Sequence, residues 1–166
     1  MENHRIAEKL DREGQKIENF FSCLSESQLG INVYLDEQVW QIRDVLAHFI
    51  SAEKSFIKLF EDIRNGGSGA PDNFSINEFN DSQVLKMKGL DTEKLLSLFS
   101  ETRSLTVEWL NGLSEVDMEK TGRHPAMGVA TIGEMVKMIY LHNQIHLRDL
   151  KIAIEPHLTD EKIDAN

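Results

Sequence analysis

His142 and His146 stand four residues apart in the run YLHNQIHLRDL (140–150), and His48 stands in VLAHF (45–49). On a helix of 3.6 residues per turn, side chains at i and i+4 lie one above the other, roughly 6 Å apart at Cβ. Two imidazoles stacked in this way can grip one divalent ion. A third imidazole from a second helix would complete three nitrogen ligands and leave coordination positions open. Open positions distinguish a catalytic metal site from a closed structural one.

The neighbours of these histidines sharpen the reading. His142 and His146 fall among apolar residues of a helical stripe, and His48 is bracketed by Val45 and Ala52 one turn away on either side. Burying imidazoles costs free energy unless their nitrogens find partners, and coordination satisfies one nitrogen on each. The ordinary alternative is a set of core histidines bonded to carbonyls or carboxylates. Two other metal architectures are excluded. A zincin H-E-x-x-H needs Glu after the first histidine, where this chain has Asn143. Di-iron bundles need Glu-x-x-His pairs, and no histidine here has an acidic residue three positions before it. Asp149, three residues after His146, is placed to accept an imidazole N–H and set its tautomer. Glu53, five residues after His48, could do the same, but a solvated helix face is the simpler expectation for it. Asn143, Gln144 and Arg148 are expected to face outward. Trp40 and Trp109 are expected as core anchors, and Cys23, between Phe20 and Leu24, as a small core residue.

Four long segments carry helical periodicity, and none shows sustained strand alternation. The first covers about 4–27, with Ile6, Leu10, Ile17, Phe20, Phe21 and Leu24 at helical intervals. The second covers about 40–64 and ends at NGGSGAP (65–71), a cluster of helix breakers. The third starts at Asp91, a good N-cap, and runs to about 113. The fourth starts at Thr131, where Thr131 and Glu134 form a T-x-x-E capping box, and Pro156 is expected to close it. A short amphipathic piece, NEFNDSQVLKMK (77–88), lies between the second and third helices. The loop TGRHPAMGVA (121–130) leads into the fourth, and a pocket rim is expected where this loop and the long connection between the second and third helices cover one end of the bundle. The expected fold is all-α: a four-helix bundle with long loops covering one end, a single domain over 1–156 and a tail over 157–166.

Composition narrows the function classes. With 28 acidic and 18 basic residues the chain carries a formal charge of −10, which repels phosphate backbones and disfavours nucleic acid as a partner. The single cysteine cannot form an intrachain disulfide. No apolar stretch reaches membrane-spanning length, and the charged N-terminal run lacks an apolar signal region. A cytoplasmic protein without a membrane partner is the expectation.

A family resemblance joins these observations. The run WQIRDVLAHF (40–49) resembles the W-x-x-x-[DE]-V-L-x-H entry to the second helix of the DinB-like superfamily. The run HPAMGVATIGEMVKMIYLHNQIHLRDL (124–150) resembles that superfamily's loop, capped helix start and H-x-x-x-H, and INEFN (76–80) is similar to a segment before the third helix. Relatives with a doubled histidine in the last helix differ here, where Ile145 precedes His146. The resemblance implies up-down-down-up connectivity, a divalent metal held by His48, His142 and His146, and homodimerisation through helices. It also implies chemistry like that of bacillithiol-type S-transferases and mycothiol-dependent maleylpyruvate isomerases, in which the metal holds a low-molecular-weight thiol.

Two functional readings follow. In the first, the chain is a metal-dependent enzyme acting on a small-molecule substrate. The cation lowers the pKa of a thiol for transfer or isomerisation, or that of a water for hydrolysis. Three histidines suit zinc, nickel, cobalt and ferrous iron alike. In the second, the bundle is a non-catalytic metal-binding or interaction module, its open metal positions plugged by a side chain such as Met127 or Met138.

Overall fold

The computed structural model describes the backbone of residues 2–35 and 39–163, and side chains through residue 157. Helix α1 spans Glu2–Ser22, and a single turn, α2, spans Glu26–Leu29. A hairpin of β1 (Asn32–Leu35) and β2 (Val39–Gln41) leads into α3 (Ile42–Arg64). Then come α4 (Ile76–Met87), α5 (Thr92–Asn111) and the short α6 (Glu115–Glu119). A second hairpin, β3 (Thr121–His124) and β4 (Gly128–Thr131), feeds the last helix, α7 (Ile132–Ile163).

The helix starts are chemically marked. The Asp91 carboxylate accepts from the Lys94 amide at 2.7 Å, capping α5. Thr131 and Glu134 cap each other's amides at the start of α7, at 3.1 and 2.8 Å. Pro156 does not close α7, which continues through it to Ile163. Proline removes one backbone hydrogen bond, which bends a helix more readily than it ends one when the flanking turns are well packed. Here Leu150 and Ile154 hold the preceding turn in the core. The expected tail at 157–166 is thus helical as far as Ile163, and its last residues lie outside those described.

Contacts fix the helix directions. Asn3 at the start of α1 donates to the Leu113 carbonyl just past α5, so these two helices run antiparallel. Glu2 pairs with Lys137, and Lys9 lies over the Tyr140 ring, so α1 and α7 run parallel. Phe49 meets Phe99 and Phe60 meets Trp109, which makes α3 and α5 parallel. The order is therefore up-down-down-up. Two apolar clusters fill the interior. One lies around Phe21, Phe49, Phe99 and Leu150, the other around Leu10, Phe60, Leu110 and Met135.

The middle of α3 departs from a one-sided stripe. Every residue from Val45 to Glu53 is buried, because α5 and α7 cover one side while α4 and the first hairpin pack on others. Glu53 is therefore in the interior and not on a solvated face. Its carboxylate receives Nε and Nη2 of Arg103, each at 2.8 Å. Asn143, expected to face outward, is also buried. With its amide oxygen toward Arg103 it accepts from Nη2 at 2.7 Å. Arg103 also reaches the Leu10 carbonyl across Gly14, where an added Cβ would stand 3.0 Å from the arginine Cγ. A buried ion pair is tolerated only when its remaining donors are satisfied, and this network satisfies them. Cys23 is exposed, just past the end of α1, while Phe21 takes the core position.

The two hairpins are the strands that periodicity did not reveal. Each strand has only three or four residues, too few for alternation to stand out from noise. Gly122 lets the second hairpin press onto α3, since an added Cβ there would meet Ile63 Cγ1 at 2.4 Å.

Candidate metal centre

His48, His142 and His146 come together between α3 and α7, and their ligand atoms all lie within 4.8 Å of one another. Nε2 of His142 stands 2.8 Å from Nε2 of His48 and 3.1 Å from Nε2 of His146. Two nitrogens bound to one ion at about 2.0–2.1 Å, subtending roughly 90–110°, would be about 2.8–3.4 Å apart. Both of these separations fall in that range. On α7 the buried stripe runs through Ile139, Asn143, Leu147 and Leu150, so His142 and His146 sit on its shoulder, half-buried and turned toward α3.

Aromatic rings wall the cluster. The Trp40 ring lies 5.0 Å from His48, the Tyr34 ring 5.4 Å from His146, and Phe49 and Phe56 each 6.1 Å from His142. Trp40 packs against the first apolar cluster and is also a wall of the site, and its Nε1 donates to Asp81 on α4 at 2.9 Å. Trp109 is partly buried at the far cluster, where its Nε1 donates to Glu61. Burial holds all three imidazoles neutral. His48 lies well below the ordinary histidine pKa, His142 is pushed down to about 3, and His146 is lowered. Desolvation is the largest cause in each, and mutual repulsion adds to it for His48 and His142. Neutral imidazole is the form that binds metals.

The orientation of His146 follows from its other nitrogen. The Tyr34 hydroxyl donates its only proton to Asp149 Oδ2 at 3.0 Å and lies 2.6 Å from His146 Nδ1. It can therefore only accept from His146, which puts the imidazole proton on Nδ1 and leaves the Nε2 lone pair facing the cluster. Asp149 was the expected partner of this imidazole; it acts through Tyr34, which sequence reasoning missed. Nδ1 of His48 is buried without a hydrogen-bond partner among the described residues.

The 121–130 segment contributes a fourth histidine that sequence reasoning also passed over. His124 is buried at the end of β3, with its ring 5.4 Å from Phe56. Alternation along β3 turns Gly122 and His124 inward together. The signal lay in HPAMG (124–128), where Gly128 adopts φ of +72° and closes a three-residue hairpin turn that ends the strand at His124.

The donor set fits a divalent ion: three neutral nitrogens converge from two rigid helices, with one tautomer held by hydrogen bonds. Such an ion would supply Lewis acidity at its open positions.

Comparison with solved structures places the fold among known ones. YfiT from Bacillus subtilis, described as a probable metal-dependent hydrolase with an unusual four-helix bundle topology, superposes with a TM-score of 0.76 at 17% identity. That match covers 93% of this chain and 87% of YfiT. The mycothiol-dependent maleylpyruvate isomerase is similar at a TM-score of 0.69 and 17% identity, over 90% of this chain and 59% of the isomerase. No curated protein sequence matches the chain. A family profile described as the DinB superfamily matches residues 9–150, and the chain belongs to that superfamily.

Proposed function

We propose that this protein is a divalent-metal-dependent enzyme whose ion is held by Nε2 of His48, His142 and His146, and that it transfers a low-molecular-weight thiol to a small electrophile or catalyses a related isomerisation. One observation carries the reading: three neutral imidazoles converge on the shoulder of the core beside aromatic walls, with His142 at ion-ligand spacing from each of the other two. The structural similarity to a mycothiol-dependent isomerase supports the thiol chemistry. In this reading the aromatic walls exclude water and hold the apolar part of a substrate. Tyr34 and Asp149 fix the orientation of His146.

Hydrolysis is the second reading. The likeness to YfiT favours it, because that match spans most of both chains, whereas this chain spans 59% of the isomerase. The third is a non-catalytic metal-binding or dimeric interaction bundle. Met127, one of the side chains that would plug the metal in that case, stands at the hairpin turn and is more than one-third exposed.

The experiment is metal content by elemental analysis, followed by activity of protein loaded with zinc or nickel. Glutathione or cysteine with a chloronitrobenzene electrophile tests transfer, and an activated ester without thiol tests hydrolysis. Metal- and thiol-dependent turnover, lost in His142→Ala, supports the leading reading. Thiol-independent ester cleavage supports the second. Bound metal without turnover supports the third, and a chain that takes up no metal overturns the metal-dependent proposal.

A further inference from the structure

His124 carries an unusual combination of features. It is only 3% exposed, and its Nε2 has no hydrogen-bond partner among the described residues. Its Nδ1 does have one: the Ala126 backbone N–H, at 3.1 Å. A backbone N–H can only donate, so Nδ1 must present its lone pair. The neutral ring therefore carries its proton on Nε2. The result is a buried N–H donor of defined direction with nothing to donate to. Native structures rarely leave such a donor unsatisfied, and where they do the group commonly has a ligand or a catalytic duty.

The surroundings suggest which duty. Phe56 packs against both His124, at 5.4 Å, and His142, at 6.1 Å. His124 lies near enough to His142 that a charge on one ring would disfavour a charge on the other. The donor thus stands beside the three-histidine cluster without belonging to it, since among the described residues the cluster comprises His48, His142 and His146. Burial also lowers the pKa of His124 itself, which preserves the neutral tautomer near pH 7. The hairpin is tied down as well: Gly122 abuts Ile63, and the Ala70 amide donates to the Arg123 carbonyl at 2.8 Å. The donor is therefore held rigidly, as a recognition group must be.

We propose that His124 is the oxygen-recognising group of this site: its Nε2–H donates to a carboxylate or carbonyl oxygen of the small molecule that enters beside the imidazole cluster. This rests on the metal-site reading above and assigns a substrate class to it, namely small molecules bearing an oxygen acceptor next to the atom that meets the ion. His124 would touch the ligand and not the metal.

The test uses the full chain loaded with cobalt(II), whose visible spectrum reports ligands that enter its coordination sphere. Acetate is the oxygen-bearing probe, and imidazole is the control without an oxygen acceptor. In His124→Leu the acetate dissociation constant should rise about tenfold, the worth of one hydrogen bond to a charged acceptor. Imidazole binding and cobalt affinity should stay as in the wild type, and His124→Gln, which keeps an N–H donor, should recover part of the acetate binding. An unchanged acetate titration in His124→Leu overturns the proposal. So does an equal loss of acetate and imidazole binding, or a loss of cobalt affinity, which would make His124 a structural or ligating residue. A wild-type chain that takes up no cobalt overturns both this proposal and the metal-site reading, so the two failures are distinguishable. Long-range proton–nitrogen NMR on the wild type tests the tautomer without any variant. A proton on Nε2 of His124 is expected, and one on Nδ1 instead would overturn the assignment.

Discussion

The Tyr34 hydroxyl and His146 Nδ1 lie 2.6 Å apart although 112 residues separate them in the chain. Tyr34 donates its hydroxyl hydrogen bond to Asp149, so this one contact sets the tautomer of His146 and aims its Nε2 at His48 and His142. The first hairpin is thereby coupled to the orientation of a proposed ligand on the last helix.

Removing the hydroxyl should loosen that ligand. Tyr34→Phe is expected to weaken metal binding by about 10–100-fold, the usual effect of losing a partner that orients a ligating imidazole. Asp149→Asn should weaken it less, because the tyrosine remains. Competition with a chromophoric chelator measures both, and equal affinity in wild type and Tyr34→Phe would refute the orienting role.

Metal should also stabilise the fold, because the unfolded chain does not hold three imidazoles together. At free metal about 1,000 times the dissociation constant the gain is about 4 kcal/mol. Chelator should therefore lower the thermal midpoint of the metal-loaded protein. The midpoint of His142→Ala should not respond to metal or chelator. Scanning calorimetry with and without EDTA decides this.

Acid should destabilise the metal-free protein before its carboxylates titrate. Histidine ordinarily has a pKa of 6.5, whereas His142 is held at about 3 and His48 and His146 are lowered, chiefly by burial. Below pH 6.5 the unfolded chain therefore binds more protons than the native one. Stability is full above that pH and falls as pH drops toward the folded-state values. Between pH 6.5 and the ordinary glutamate value of 4.5 the histidines dominate the trend. Urea midpoints of EDTA-treated protein should fall across this window, and the slope should be shallower in His142→Leu. A flat profile in the wild type would contradict the buried neutral cluster.

The Glu53–Arg103 pair predicts a strong single-variant effect. Arg103→Met leaves the Glu53 carboxylate buried and unpaired, and the expected loss is about 3–5 kcal/mol. The double variant Glu53→Met with Arg103→Met should recover much of that loss. Urea unfolding of the two variants checks it, and a double variant no more stable than the single one would show that the pair is not the source of the cost.

Local pattern was enough for the four long helices, apart from the break after Ser22 that ends the first one early, and for singling out the three histidines. The Asp91 cap, the Thr131–Glu134 box, the 65–71 breakers and the i, i+4 pair are each written within a few residues, and local chemistry reads them. The all-round burial of α3 had a sequence signal too, since VLAHFISA (45–52) is almost unbroken by polar residues, but a one-sided stripe is the commoner pattern and places Glu53 outside. Pro156 misled because a packed helix can absorb a proline that an isolated one could not.

The helical bundle and the candidate ligands are legible in local pattern, because periodicity, capping and i, i+4 spacing are properties of neighbouring residues. Only the tertiary structure decided what surrounds those ligands. Tyr34 reaches His146, Arg103 reaches Glu53 from 50 residues away, and His124 turns its N–H inward beside Phe56. Each of these depends on which helices and hairpins pack against one another. The free energy that settles such packing comes from the whole core, and no single segment carries it.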